Sequence, residues 1–262
     1  MPAPFALLNS ETLEAIPAAL AKPRGNATAR ALSKAAWLIR RKRDGRFLAV
    51  TQASRIVGLR RDAFAGSDAG DLAELFDNAA RAVQPRPLDG LSRWLDRLGL
   101  HADEYAQGTG LALIAEPSRL AFAGFDRYRR PLWLGDETAR AWSRMRQAAR
   151  ADSVRLDAIS GYRSHAYQLG IFERKLARGL ALADILAVNA APGFSEHHGG
   201  CALDIGTPGE PAAEESFENT IAFDWLMRHA GEFGFRLSYP RGNPHGIVYE
   251  PWHWCWHPQA RE

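Results

Sequence analysis

Hydrophobic residues in the first part of the chain recur mainly at helical spacing. The pattern predicts helices over 71–83 and 88–98, and a weaker helix over 11–22. The stretch 29–50 fits a helix at its start, but its apolar runs also flank Asp44-Gly45, a pair typical of a tight turn. We therefore favour a β-hairpin there over a helix.

From Leu111 onward, short apolar runs joined by turn residues alternate with amphipathic helices. The predicted strands are 111–114, 119–122, 154–160, 201–205, 235–239 and 246–256, and the predicted helices are 136–150, 165–178, 182–188 and 220–233. This mixture predicts an α+β fold with a small antiparallel sheet and flanking helices, preceded by a mostly helical N-terminal region. We expect two domains, residues 1–109 and residues 110–262.

Composition and charge narrow the possible functions only slightly. Hydrophobic residues make up 46% of the 262 positions, which is enough for a sizeable core. The net charge of +3, from 33 basic and 30 acidic residues, is too small to indicate nucleic-acid binding. The N-terminus does not resemble a signal peptide, and no run approaches the ~18 apolar residues of a membrane span. We therefore expect no transmembrane segment, and any export route is not visible.

The two cysteines, Cys201 and Cys255, form neither a disulfide framework nor a metal-binding CxxC pair. On regular strands, Cys201 would face away from Asp204, whereas Cys255 would share a face with His253. This mismatch favours two buried thiols over a bridge. The cysteines therefore do not indicate whether the protein works in an oxidising or a reducing compartment.

Two short stretches carry residues suited to metal chemistry. His197 and Asp204 lie seven positions apart, and Glu250 and His253 lie three apart. Two imidazoles and a carboxylate can hold Zn²⁺ with an open fourth position, and the second carboxylate can act as a base. Both spacings are odd, so on continuous strands the members of each pair would face opposite ways. The glycines at 199 and 200 and the proline at 251 permit kinks, so the spacing allows a shared site without requiring one. Loop histidines and a turn-capping aspartate remain the alternative at this point.

The other histidines carry weaker signals. We expect a neighbour of the site at His198, loop or terminal residues at His101, His245 and His257, and packing or solvent contact within helices at His165 and His229.

Three motifs together resemble a known family. They are Ser160-Gly161-Tyr162-Arg163-Ser164 followed by Gln168, then Ser195-Glu196-His197 with Gly200, Ala202 and Asp204, and finally Glu250-Pro251-Trp252-His253. In this order and separation they resemble the motifs of the VanY-type D-alanyl-D-alanine carboxypeptidases. The stretch from about Leu111 to Trp256 looks like the whole peptidase domain, so residues 110–262 are expected to be catalytic. The role of residues 1–109 stays unknown.

The resemblance implies a zinc peptidase with the fold shared by D-Ala-D-Ala dipeptidases and the hedgehog signalling domain. It implies one zinc ion held by His197, Asp204 and His253. Glu250 is then the general base and later the proton donor, and Arg163 contacts the substrate and its developing oxyanion. Ser195 and Gln168 are implied to be substrate contacts or supporting residues.

The function implied is removal of a terminal D-alanine from a peptidoglycan stem peptide or muropeptide. This substrate class suggests the periplasm or cell envelope, and the alternative location is the cytoplasm. The alternatives are a peptidoglycan endopeptidase and a catalytically silent zinc-containing binding module. Retention of Glu250 beside all three ligands counts against the silent module. The choice between D,D and L,D bonds stays open.

Overall fold

The computed structural model describes residues 5–53, 55–59 and 68–258. The chain clusters into two compact units, one of Met1–Arg86 with Glu116–Phe122 and one of Pro87–Ala115 with Ala123–Glu262. The contacts of the segment Pro87–Ala115 therefore assign it to the second unit. The division predicted from the sequence lies between residues 109 and 110. That division stays a prediction about function.

The first unit is built around an antiparallel sheet with helices. Its elements are β1 (Ala6–Asn9), β2 (Leu13–Pro17), α1 (Asn26–Leu32), β3 (Trp37–Arg41), β4 (Phe47–Gln52), β5 (Arg55–Gly58), α2 (Asp68–Ala80) and the first part of β6 (Arg119–Phe125). The strands of this unit are ordered β5-β4-β3-β2-β1-β6. Leu75 of α2 packs into a fully buried cluster with Leu8, Leu13 and Ile39 of the sheet.

The predicted hairpin is confirmed, because β3 and β4 pair across a turn in which Gly45 adopts a φ of 63°. The predicted helix over 11–22 is wrong, since Leu13–Pro17 forms the fully buried strand β2. The mostly helical N-terminal region likewise does not hold for residues 6–58, where five strands lie. A short strand buried between two neighbours is apolar on both faces, so periodicity alone does not distinguish it from a buried helix.

The second unit contains the expected α+β arrangement. Its elements are α3 (Leu91–Arg97), α4 (Ala102–Thr109), the end of β6, β7 (Pro131–Leu134), α5 (Asp136–Ala151), β8 (Asp157–Ser160), α6 (His165–Ala177), α7 (Leu182–Leu186), β9 (Ala202–Gly206), α8 (Ile221–His229), β10 (Phe235–Leu237) and β11 (His253–Trp256), with 3-10 turns at Glu196–Gly199, Glu215–Asn219 and Ala230–Phe233. An antiparallel sheet has the order β10-β11-β9-β8. The predicted antiparallel sheet with flanking helices is confirmed.

Helices α5 and α8 cover this sheet because each presents one apolar face. Trp142 and Met145 of α5 and Trp225 of α8 are buried in one cluster with Leu203 of β9 and Trp254 of β11. Every residue of β9 is buried, so the sheet holds its central strand rigidly.

Two predicted strands differ from the structure. Residues 111–114 form no strand, and their backbone is bound elsewhere: the N–H of Ile114 donates to the carbonyl of Gly193 at 2.8 Å. The last predicted strand is shorter than expected, since only His253–Trp256 pairs. Pro251 has no N–H to donate, which fits a strand that begins after it.

The segment Pro87–Ala115 packs on the loops of its own unit. Leu91 and Leu95 of α3 belong to a cluster with Phe194, Tyr239 and Ile247. No helix in the described part of the chain combines the length and apolar character needed to cross a bilayer.

Candidate metal centre

Neighbouring strands place the predicted ligands together. In the antiparallel pair β9–β11, Asp204 lies directly opposite His253. His197 lies in the 3-10 turn before β9, and Gly200 ends that turn with a φ of 71°, which glycine adopts without steric cost. The odd spacing between His197 and Asp204 is thus accommodated by a turn rather than by a strand.

The three side chains have the separations expected of metal ligands. Asp204 Oδ1 lies 3.3 Å from His197 Nε2 and 3.3 Å from His253 Nδ1. Ligand atoms of all three residues lie within 4.8 Å of one another, and all three residues are buried. Ligands at about 2.0–2.2 Å around a tetrahedral zinc ion are separated by ~3.4 Å, so the set fits such an ion.

Each imidazole is held by its other nitrogen. His197 Nδ1 lies 2.8 Å from the carbonyl oxygen of Gly161, and His253 Nε2 lies 2.8 Å from Glu196 Oε2. A carbonyl only accepts, so His197 Nδ1 must donate and its Nε2 keeps a lone pair for the site. In the same way, donation from His253 Nε2 to the carboxylate leaves its Nδ1 as the ligand atom.

In the sequence Glu196 appears only as a member of the second motif, and the structure makes it the partner of His253. The signal available was its position beside His197 in the second motif. The strand pairing that brings Glu196 to His253 is not visible in that motif.

The electrostatic environment favours a cation. Burial opposes ionisation of Glu196, but the hydrogen bond and charge of His253 outweigh it and hold the pKa of Glu196 at about 2. Burial also opposes ionisation of Asp204, yet His197 and His253 keep its pKa far below the usual range. Burial alone would lower the pKa of His253, but hydrogen bonds with Asp204 and Glu196 raise it to about 10. The ionised carboxylates of Glu196 and Asp204 therefore favour a positive charge beside them.

Glu250 is the carboxylate that remains available to act as a base. Its Oε2 lies 3.7 Å from His253 Nδ1. Burial and, to a smaller extent, the charge of Asp204 raise the pKa of Glu250 to about 7, while His253 and Arg163 oppose the shift. A carboxyl group with this pKa can accept and return a proton near neutral pH.

Arg163 is fixed at the edge of the site through its side chain. Nη1 donates to Gln168 Oε1 at 3.1 Å, and Nη2 donates to Asp204 Oδ2 at 3.5 Å. Gln168 is itself fixed, because its Nε2 donates to the carbonyl oxygen of Ala190 at 2.8 Å. Gln168 therefore orients the guanidinium group.

The backbone of Arg163 is held by the second motif. Its N–H donates to the carbonyl of His197 at 3.2 Å, and its carbonyl lies 2.6 Å from His198 Nδ1. His198 Nε2 in turn accepts from the N–H of Gly193 at 3.1 Å. His198 thus links the first and second motifs from a fully buried position.

A cavity of about 300 Å³ brings the predicted site residues together. All seven line it, namely Arg163, Gln168, Ser195, His197, Asp204, Glu250 and His253. Lys175, Tyr239 and Trp252 also contribute to its wall, and sequence reasoning gave no role to the first two.

The remaining histidines lie elsewhere. His165 Nε2 contacts the carbonyl of Ile114 at 2.8 Å, His245 Nδ1 contacts the carbonyl of Thr109 at 2.8 Å, and His229 pairs with Glu232. His257 is exposed after the end of β11.

Cys201 and Cys255 are free thiols, with their Sγ atoms 3.2 Å apart. Cys201 lies just before β9 and not within it, so the alternation of a regular strand does not set its direction. This explains how the two thiols meet although the strand argument placed them on different faces.

Comparison with known proteins identifies the family. Residues 132–259 match the family model for VanY, D-alanyl-D-alanine carboxypeptidase. The chain is 33% identical over 144 residues to the bifunctional D-Ala-D-Ala dipeptidase and D-Ala-D-Ala carboxypeptidase VanXYC of Enterococcus gallinarum, covering 53% of this chain and 73% of that protein. The chain belongs to the VanY family.

Other VanY-type proteins are similar over about half of the chain. The putative carboxypeptidase YodJ of Bacillus subtilis is 34% identical over 146 residues, which is 53% of this chain and 53% of that relative. The chain thus spans only about half the length of some curated relatives. The chain is also 29% identical to a vancomycin resistance D,D-pentapeptidase VanY from a VanB-type cassette. The crystal structure is that of a mutant in complex with Zn(II). That match covers 48% of this chain and 73% of that one, with a TM-score of 0.40.

Proposed function

We propose that this protein is a zinc-dependent carboxypeptidase that removes the C-terminal D-alanine from peptidoglycan stem peptides. The observation that carries the proposal is the convergence of three ligand side chains, Glu250 and Arg163 in one cavity. Family membership supports the class of reaction, and the positions of these side chains support the role that we propose for each of them.

His197 through Nε2, His253 through Nδ1 and the carboxylate of Asp204 would hold one zinc ion. When bound, zinc supplies Lewis-acid chemistry, which lowers the pKa of a water molecule towards ~7 and polarises a carbonyl group. Glu196 and the carbonyl of Gly161 keep both imidazoles in the tautomers that this requires.

Glu250 carries the proton through the reaction. Its ionised form accepts a proton from the water that attacks the scissile carbonyl. Its protonated form then returns that proton to the leaving amine. Burial raises the pKa of Glu250 above that of an exposed carboxyl, which favours return of the proton to the leaving amine.

Arg163 supplies a fixed positive charge beside the reacting carbonyl. Because Gln168 orients the guanidinium group before substrate arrives, little reorganisation is needed when negative charge develops on the oxygen. Ser195 lies on the wall of the same cavity, where a substrate contact is expected of it.

Metal content tests the ligand set. The purified protein should contain about one equivalent of zinc, and His253→Ala should lower it sharply because a three-residue site loses one ligand. His229→Ala is the matched control, since His229 pairs with Glu232 outside the cavity. Full zinc occupancy in the alanine variants of His197, Asp204 and His253 would remove the assignment.

Substrate end groups test carboxypeptidase activity. Zinc-loaded protein is incubated with a defined muropeptide that ends in a free acid or in an amide, and the products are weighed. We expect amidation to lower kcat/KM roughly 30-fold, about 2 kcal/mol, because a cation in the cavity loses its carboxylate partner. Equal cleavage of both peptides would instead favour a peptidoglycan endopeptidase. Binding without cleavage would favour a zinc-containing binding module.

A further inference from the structure

The two thiols lie on or next to the two strands that carry proposed metal ligands. Cys201 is the residue before β9, the strand of Asp204, and Cys255 is two residues after His253 in β11. Ala202 and Cys255 are directly paired across these strands. A bond between the two sulfurs would therefore join the two strands next to the metal centre.

The distance between the sulfurs is short enough for this bond to form with a small movement. The Sγ atoms are 3.2 Å apart, and a disulfide bond is about 2.05 Å long, so they must approach by about 1.2 Å. Cys201 lies before the regular strand and is partly exposed, so its side chain is less confined than that of Cys255, while its carbonyl accepts from the N–H of Trp256 at 2.9 Å. Cys255 is fixed by its strand, so the movement falls mainly on Cys201.

We propose that Cys201 and Cys255 are a reversible thiol–disulfide pair that cross-links the two ligand-bearing strands β9 and β11. The thiols lie beside Glu196, with Cys201 Sγ 3.2 Å from its carbonyl oxygen, but they take no part in the proposed peptidase step and do not depend on its substrate. Their oxidant is a small disulfide of the glutathione class.

The reaction proceeds by two thiol–disulfide exchanges. The Cys201 thiolate attacks the small disulfide, breaks its S–S bond and releases one small thiol. The Cys255 thiolate then attacks the Cys201 sulfur of the mixed disulfide and releases the second small thiol. The protein loses two electrons and two protons, and the small disulfide is reduced to two thiols.

Exposure sets the order of these steps. Cys201 is partly exposed, whereas Cys255 is buried with 2% of its surface accessible. A reagent in solution therefore meets Cys201 first, and Cys255 attacks from within the protein.

The test is thiol trapping on the full-length, zinc-loaded protein. The protein is equilibrated in glutathione buffers of increasing oxidised fraction, alkylated with N-ethylmaleimide and weighed. We expect wild-type protein to lose both alkylation sites together, without a retained glutathione, and to regain both after dithiothreitol. The oxidised form should melt at least ~5 °C above the reduced form, because the cross-link restricts the unfolded chain.

Single substitutions separate the two roles. In Cys255→Ser, glutathione should remain bound to Cys201, because the second thiol that displaces it is missing. In Cys201→Ser, the buried Cys255 should react far more slowly. If either variant fails to fold, wild-type protein is oxidised and digested instead. Detection by mass spectrometry of a peptide in which Cys201 is linked to Cys255 then supports the proposal, and its absence contradicts it.

Two results would overturn the proposal. The first is that wild-type protein keeps both free thiols, or a bound glutathione, in a buffer whose reduction potential is more oxidising than about −180 mV. The other is protection of both thiols by a second equivalent of zinc. Glu196, Cys255 and His257 offer ligand atoms within 4.8 Å of one another, so that result would assign the thiols to a second metal site instead.

Discussion

Two glutamates contact His253 from different sides, and their environments suit them to different tasks. Glu196 accepts a hydrogen bond from His253 Nε2, and that bond helps hold its pKa at about 2. Glu250 lies 3.7 Å from Nδ1, and burial raises its pKa to about 7. Glu196 therefore stays ionised to position the imidazole, whereas Glu250 can exchange a proton.

Glu250→Gln should keep the fold and the zinc but lose most turnover. The amide has nearly the same shape but does not accept the proton of the attacking water, so kcat should fall on the order of 10²-fold or more. Zinc content and kcat on a muropeptide are measured together. A variant with wild-type kcat would show that another group is the base.

Glu196→Gln should show the opposite pattern in metal binding. The amide oxygen can still accept from His253 but carries no charge, so we expect zinc affinity to fall about 10-fold or more. Competition with a chromophoric chelator measures this affinity, with Glu250→Gln as the matched control that should remain near wild type. Equal affinities in the two variants would contradict the supporting role of Glu196.

At the scale of elements, the local turns were predictable and the strand pairing was not. The hairpin at Asp44-Gly45 follows from neighbouring residues alone, and so does the bend at Gly200. The opposition of Asp204 and His253 depends on the register between β9 and β11, which are far apart in sequence. The three motifs supplied the site residues because they resemble a family, while odd spacing alone left a shared site undecided.

The loop from Ala190 to Phe194 connects the site to helix α3 through Gly193. This residue has a φ of 93°, donates its N–H to His198 and accepts from Ile114. A Cβ added there would lie 2.2 Å from Leu91 Cδ2 and 3.1 Å from Leu91 Cγ. Glycine is thus required by both the backbone conformation and the close approach of α3.

Gly193→Ala should destabilise the protein by about 2–4 kcal/mol, because backbone strain and overpacking add. Gly179→Ala is the matched control, with a φ of 85° but nothing within 4 Å of the added Cβ. It should cost only the strain, roughly 1 kcal/mol. Urea unfolding measures both, and equal losses would show that the contact with Leu91 is unimportant.

At the scale of the whole molecule, the division into two units predicts which segments a core substitution destabilises. Leu75 and Leu95 are both almost completely buried, but Leu75 packs in the first unit and Leu95 in the second. Either leucine changed to alanine should cost about 2–5 kcal/mol, since each leaves a cavity in a packed core.

Hydrogen exchange distinguishes the two substitutions. Leu75→Ala should speed exchange in strands β1 to β4, and Leu95→Ala should speed it in α3 and in the loop around Phe194. If Leu95→Ala leaves that loop unchanged, Pro87–Ala115 is not part of the core that supports the site. A fragment beginning at residue 110 would then be as stable as one beginning at residue 87.

The second unit is interrupted in sequence, since Glu116–Phe122 belongs to the first unit while the residues on both sides belong to the second. During synthesis the ribosome releases the chain from its N-terminus. The first unit acquires its β6 residues only once residue 122 has emerged, by which time Pro87–Ala115 is already outside. The apolar side chains of this segment are covered only when Phe194, Tyr239 and Ile247 have emerged, which is much later. The newborn chain thus exposes Leu91 and Leu95 until residues 194–247 have been made, and during that interval these side chains are available to a chaperone.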